Sequence, residues 1–340
     1  MARRVLDFPV LKALNTNRIS IASLADFVRG RAAPVAAVAS GAFPYCLDFL
    51  RARALYVPDI EARAVQGAPF YYLHLRRKAR SLVSVPIEFG TLSTAQEMRP
   101  VFLFSPGRCG STLLSRILFE AGVVSVSEPD FYTQMSSVFW SNAANPLRAR
   151  FHKAMWNMTG DLVAALGARH APVIKLRAEC CRAPELFLQP STGRQRTLVM
   201  FRSFESWARS TGRAFRAHPG KAVRKYMRSL ECYAFLAKHS DCHVVRYEAL
   251  HRDPASECAA LGRFLGTSIP PDAVARATAR DSQEDTPLER DVRPVKPGWE
   301  TRLAATLHLW HSPRFTAARG RLGVPNVWSG DREKSLRTML

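Results

Sequence analysis

The sequence predicts an α/β fold: a doubly wound, mostly parallel sheet with flanking helices, preceded by a helical N-terminal extension. Three observations predict it. From residue 101 onward, short apolar runs alternate with longer amphipathic ones, as strands and helices do in βα units. The first apolar run, Val101 to Phe104, stops at Ser105-Pro106-Gly107, and Gly110 then precedes an amphipathic stretch carrying Leu113, Leu114, Ile117 and Leu118. That is strand, tight loop and helix start. Residues 1–97 have a different texture, with apolar positions at helical spacing broken by prolines.

The elements follow in order. Ile21 to Val28, Tyr45 to Leu55 and Tyr71 to Val83 carry the helical spacing of the extension, and Pro34, Pro44, Pro58 and Pro69 punctuate it. Met98-Arg99-Pro100 reads as a junction, so the α/β domain is expected over 98–328. Its strands are expected at 101–104, 123–126, 172–176, 197–201 and 243–246, each a short apolar run bounded by polar or turn residues. Its helices are expected at 111–121, 131–139, 147–167, 204–216, 221–239, 255–265 and 271–279. Residues 281–298 are polar and Pro-rich and are expected to form a mobile loop. Helix or irregular structure returns at 300–310, and 329–340 are expected to be a flexible tail. There is no internal repeat or low-complexity tract.

A chain of 340 residues with 47% hydrophobic content can bury a full core. Its 49 Lys and Arg outnumber 28 Asp and Glu, for a net charge of +21. Such an excess attracts nucleic acid, anionic membrane, or phosphorylated and sulfated small molecules. The charge is spread along the chain, and the densest cluster is Arg76-Arg77-Lys78-Ala79-Arg80. Charge alone therefore does not decide the ligand; nucleic acid is not the expected partner, and weak association with an anionic surface stays open. Seven cysteines, an odd number without a C-x-x-C pair, argue against a disulfide framework or Cys-rich zinc site. His308 and His311 lack supporting ligands, so no metal is expected. No secretory signal and no transmembrane span are evident, which makes cytoplasmic the expected location.

The loop at 105–112 carries the chemistry. A strand-to-helix turn aims backbone N–H groups and the positive helix end at one point, which suits a phosphate. Gly107 and Gly110 let the backbone approach closely. Arg108 adds a fixed charge, and Ser111 and Thr112 add hydroxyls. The loop departs from the nucleotide-kinase motif, which has four residues between its glycines and a Lys before Ser/Thr. Here only Arg108 and Cys109 separate the glycines. A kinase would also use a strand ending in Asp for Mg²⁺. Val173-Ile174-Lys175 ends in Lys, and Leu198 to Phe201 is followed by Arg202. The residues thus favour cations over a metal for anion handling, although an ordinary turn uses the same types. Ser210 lies eight residues past Arg202, two turns into the following helix, where both can reach one phosphate. The alternative is a surface Arg and a solvent-facing Ser.

Taken together, these segments resemble the sulfotransferase family, whose fold is P-loop NTPase-like and whose sulfuryl donor is 3′-phosphoadenosine 5′-phosphosulfate (PAPS). The family carries a strand–loop–helix for the 5′-phosphosulfate, in the phrase P-[KR]-x-G-[ST]-T. Gly107, Arg108, Cys109, Gly110, Ser111 and Thr112 match it, with Gly107 inserted after Pro106. Arg202 and Ser210 match the pair that holds the 3′-phosphate. Val245-Arg246-Tyr247-Glu248-Ala249-Leu250, then Asp253-Pro254, match a further phrase of the family. The resemblance covers roughly residues 100–300.

The resemblance implies PAPS as donor, adenosine 3′,5′-bisphosphate (PAP) as product, no metal, and an acceptor hydroxyl. It implies that Lys175 contacts the bridging and sulfuryl oxygens and that Arg108 neutralises the sulfuryl end. The cytosolic small-molecule branch uses a His three residues past that Lys, but Ala178 stands there. The tyrosylprotein, heparan and some bacterial members use a Glu after the first helix, which points to Glu128, twenty residues beyond Arg108. Asp130 and Glu179 are the reserve bases. Tyr247 is implied against the adenine. Arg293 to Trp299 resembles the late loop over the 3′-phosphate, which implicates Lys296. Trp299 itself suits a core position. The acceptor stays open among small alcohols, phenols, sugars, lipids and peptide tyrosine. The rival functions are a metal-dependent P-loop kinase and a non-catalytic anion- or nucleic-acid-binding protein on the same fold.

Overall fold

The computed structural model describes residues 4–87, 99–141, 148–189, 194–215, 217–279, 281, 282, 284, 286–289 and 295–322. The N-terminal part is a sheet, not a helical extension. Its strands are β1 (Val5–Ala13), β2 (Phe27–Arg29), β3 (Ala33–Val35), β4 (Phe43–Asp48), β5 (Arg53–Val57) and β6 (Ser81–Pro86). They run antiparallel in the order β2-β1-β6-β5-β4, with β3 on the other part of β1. Helices α1 (Ala62–Gly67) and α2 (Tyr71–Lys78) join β5 to β6.

The helical spacing of these strands has a physical cause. Tyr45 to Leu55 is strand, turn and strand. Phe43 to Leu47 are buried without a break, as are Arg53 to Val57. Strands covered on both faces lose the apolar–polar alternation that marks a strand, and their apolar runs pass for helical spacing. Ile21 to Val28 similarly resolves into a single 3₁₀ turn, Leu24–Asp26, and β2. Tyr71 to Val83 is helix only as far as Lys78.

The second part is a doubly wound α/β sheet. Its strands are β7 (Val101–Phe104), β8 (Ser125–Ser127), β9 (Val173–Lys175), β10 (Arg196–Phe201) and β11 (Asp241–Arg246). All pair in parallel, in the order β11-β10-β7-β9-β8. The helices are α3 (Ser111–Glu120), α4 (Asp130–Ser141), α5 (Arg148–Ala165), α6 (Phe204–Ala214), α7 (Pro219–His239), α8 (Tyr247–Arg252), α9 (Pro254–Leu265), α10 (Asp272–Thr278), α11 (Trp299–His311) and α12 (Pro313–Arg321). Every strand and helix expected between 101 and 279 is present, with ends shifted by a few residues. The short α8 and the terminal α12 were not expected. The expected tail at 329–340 lies outside the described residues.

Central β7 divides the core. Phe102 and Phe104 face one layer, against Phe187 at centroid distances of 5.1 and 5.3 Å. Val101 and Leu103 face the other, with Leu114, Ile117 and Leu118 of α3 and Leu261 of α9. The first layer continues into the N-terminal sheet as one apolar cluster. Phe49 meets Phe151 at 4.7 Å, and the Tyr56 hydroxyl donates to Asp161 at 2.7 Å. The Gln134 amide bonds Leu47 N–H and C=O and the Ala22 carbonyl, as a neighbouring strand would. From β7 the chain winds toward β8, and from β10 it winds toward β11. The connections therefore diverge between β7 and β10. Open α/β sheets leave a crevice at such a point, beyond the carboxyl ends of the strands.

Candidate active site

The loop from Ser105 to Gly110 opens that crevice. Gly107, Arg108 and Gly110 adopt left-handed backbone, with φ of 72°, 57° and 91°. At Gly110 the requirement for glycine is double. Besides the φ, an added Cβ would stand 2.3 Å from the Tyr247 ring. Arg108 holds its conformation without that freedom, a cost of roughly 1–2 kcal/mol. The surroundings fix the loop. The Trp207 indole N–H donates to the Gly107 carbonyl at 2.7 Å, and Gly107 N–H donates to Ser105 Oγ at 3.3 Å. Ser105 and Ser111 hydroxyls are 3.3 Å apart. No side chain caps the N-terminus of α3, so its first N–H groups keep their capacity for an anion. Cys109 points away, wholly buried among the β7 and α3 core residues, where burial pushes its thiol up.

Lys175 ends β9 and is nearly inaccessible. Its ammonium donates to Thr112 Oγ1 (3.1 Å), Ser127 Oγ (3.1 Å) and Glu128 Oε1 (2.6 Å). Those acceptors match its three N–H bonds. Glu128 follows β8 in left-handed backbone, φ 66°, and its N–H bonds the Lys175 carbonyl at 2.7 Å. That turn brings its carboxylate back onto Lys175. Arg177 Nε stands 3.9 Å from the second Glu128 oxygen. Its Nη1 contacts both oxygens of Asp130, at 2.9 and 3.0 Å. Asp130 is fully buried, and Ala22 N–H also donates to it at 2.7 Å. Burial raises its pKa against the opposing pull of Arg177. Glu179 lies 3.8 Å from Arg177 and 3.9 Å from Lys225. Burial would raise its pKa, but Lys225 and Arg177 outweigh it and hold the carboxyl below its ordinary range.

Arg202 follows β10 directly. Its guanidinium lies over the Tyr247 ring, 4.3 Å from the centroid, and its carbonyl accepts from the Tyr226 hydroxyl at 2.5 Å. Arg202 Nε is buried with no hydrogen-bond partner. A buried donor left unsatisfied is costly, so this atom keeps its capacity for an acceptor in the cleft. Tyr247, the first residue of α8, is packed between Arg202 and Gly110.

These groups share one cleft of about 770 Å³. Gly107, Arg108, Gly110, Ser111, Thr112, Glu128, Lys175, Arg202, Ser210 and Tyr247 all line it. Cys109 sits beneath the loop rather than in the cleft, and Asp130 is turned to Arg177 and Ala22. Lys296 stands apart from the lining; its carbonyl accepts from Trp299 N–H at 3.3 Å. Arg293 lies outside the described residues, and Trp299 is half-buried beneath Arg213. Residues not singled out in the sequence also line the cleft: Ile19 and Phe70 from the N-terminal part, Arg177, and Lys221 and Lys225 from α7. The α7 pair had a signal, a four-residue spacing that places both on one helix face. Among the described residues, no three His, Cys, Asp or Glu side chains converge as metal ligands, and no helix is long and apolar enough to cross a membrane.

No protein-family model matches the sequence, and no curated protein matches it. Solved structures with a similar path include sulfotransferases. The sulfotransferase domain from the curacin biosynthetic pathway is 16% identical, over 67% of this chain and 98% of its own, at a TM-score of 0.43. Mouse sulfotransferase SULT7A1, complexed with PAP, is 12% identical, over 74% of this chain and 96% of its own, at 0.37. A sulfotransferase from Alicyclobacillus acidocaldarius is 14% identical, over 70% and 99%, also at 0.37. At this distance the likeness assigns no residue, and the cleft's own geometry has to carry the chemistry.

Proposed function

We propose that this chain is a sulfotransferase that moves a sulfuryl group from PAPS to an acceptor hydroxyl. One observation carries the reading. An anion loop with a buried Lys–carboxylate pair, an Arg with a buried donor unpartnered among the described residues, and Ser210 line the same cleft. A ligand with anionic groups at both ends, joined by a nucleoside, satisfies both places at once. The donor set fits PAPS: N–H groups of the loop and α3 with Ser111 and Thr112 for the 5′ end, Arg202 and Ser210 for the 3′-phosphate.

PAPS supplies an activated sulfuryl group whose S–O bond to the 5′-phosphate breaks as the bond from the acceptor oxygen forms. Glu128 accepts the hydroxyl proton. In the resting site Lys175 is occupied by Thr112, Ser127 and Glu128. Protonating Glu128 removes the charge that holds Lys175 against it. The ammonium then becomes available to the leaving oxygen as charge gathers there. The base and the cation are in this way coupled through one 2.6 Å contact. Arg108 adds charge beside the loop, while Asp130 holds Arg177 behind the second Glu128 oxygen.

The direct test is calorimetric titration with PAP and with adenosine 5′-monophosphate. PAP should bind much more tightly in the wild-type chain, and Arg202→Ala should erase most of that preference. Equal binding of both nucleotides to the wild type rejects the reading. Incubation with labelled PAPS and a lysate then identifies what receives the sulfate.

A further inference from the structure

Lys225, on α7, is a cation of the cleft that neither the loop nor the Arg202–Ser210 pair includes. Its ammonium stands 3.8 Å from the point where a Cβ would leave Gly107. It therefore hangs over the first left-handed residue of the anion loop. Buried Val223, Tyr226 and Met227 fix the rotation of α7, leaving Lys221 and Lys225 on the face toward the cleft.

Besides Arg108 of the loop itself, three cations at that end of the cleft are committed to different degrees. Lys175 spends its N–H groups on three close acceptors. Arg177 is held by both oxygens of Asp130. Lys225 has Glu179 as a counter-charge, but at 3.9 Å, too long for a hydrogen bond. Glu179 is also shared with Arg177 at 3.8 Å. Lys225 can thus turn its N–H groups onto an anion in the loop without giving up a hydrogen bond. Glu179 remains a carboxylate at neutral pH, because Lys225 and Arg177 outweigh the effect of its burial, and it keeps the ammonium near the loop.

We infer that Lys225 is a donor-binding residue whose ammonium contacts the 5′-phosphosulfate from the α7 side, across from the N–H groups of the loop. This rests on the PAPS reading above. It gives the donor's 5′ end a cation that is not tied to the proton transfer. Lys175 can then stay with Glu128 until the acceptor hydroxyl ionises.

The test uses two ligands that differ at the 5′ end. PAP carries a 5′-phosphate, and adenosine 3′-monophosphate does not. Calorimetry on the full chain should show Lys225→Met weakening PAP about 10- to 100-fold, the range for one charge-assisted hydrogen bond. Adenosine 3′-monophosphate should bind the variant as it binds the wild type. Lys225→Arg should retain most of the PAP affinity and guards against a Met variant that folds poorly. Unchanged PAP affinity, or an equal loss for both ligands, overturns the role of Lys225 while leaving the donor reading intact. A wild-type chain that binds neither nucleotide overturns both.

Discussion

Lys175 shows how a single residue ties structure to chemistry. Burying an ammonium is tolerable only with partners, and Thr112, Ser127 and Glu128 provide them. Lys175→Ala should lower turnover by ~10²–10³, as removal of one charge-stabilising donor does, while PAP affinity stays near wild type. Parallel kinetics and calorimetry check this, and near-normal turnover sinks the role. At this scale much of the site was legible. Lys175 ends an apolar strand, and Arg202 and Glu128 each follow one, so the sheet's carboxyl edge collects them. The spacing of Lys221 and Lys225 marks one helix face, but which way that face turns depends on how α7 lies over the loop. Asp130 read as a reserve base, yet only the fold reveals that Arg177 and Ala22 occupy its oxygens.

The loop between β7 and α3 is an element whose shape is held from outside. Trp207 of α6 grips Gly107, and the Tyr247 ring fills the space where a Gly110 side chain would be. Gly110→Ala should therefore disturb both. The left-handed backbone alone costs about 1–2 kcal/mol, and the overlap with Tyr247 adds to it. A lowered unfolding midpoint together with weakened PAP binding is the expected result; a variant that matches wild type in both would contradict it. The elements of the α/β part were readable because strands and helices there differ in length and in period. The N-terminal strands were not. Phe43 to Leu47 are buried on both faces, and period-two alternation disappears when no face meets water.

Across the whole molecule, the +21 charge becomes locally organised on α7. Lys221, Arg224, Lys225 and Arg228 form one stripe at helical spacing, and its inner members line the cleft. A positive track leading to a binding site speeds the approach of anions, and salt screens it. Stopped-flow association of PAP should slow by ~10-fold between low and physiological ionic strength. The double variant Arg224→Gln, Arg228→Gln should flatten that dependence. A salt-insensitive rate in the wild type argues against steering. The N-terminal sheet belongs to the same whole. It shares a core with α4 and α5, and Ile19 and Phe70 form part of the cleft wall. Its covering role was invisible in the chain, because it arises from contacts such as Gln134 with Leu47 that span 87 positions.

Tyr247 links the two ends of the cleft. One flank of its ring rests on Gly110 at the anion loop, and Arg202 lies over its face. Gly110 and Arg202 are therefore set apart by the thickness and placement of a rigid aromatic plate rather than by a flexible loop. The ring acts as a gauge. It fixes one separation between the loop at Gly110 and the Arg202 guanidinium, which a ligand touching both would have to match.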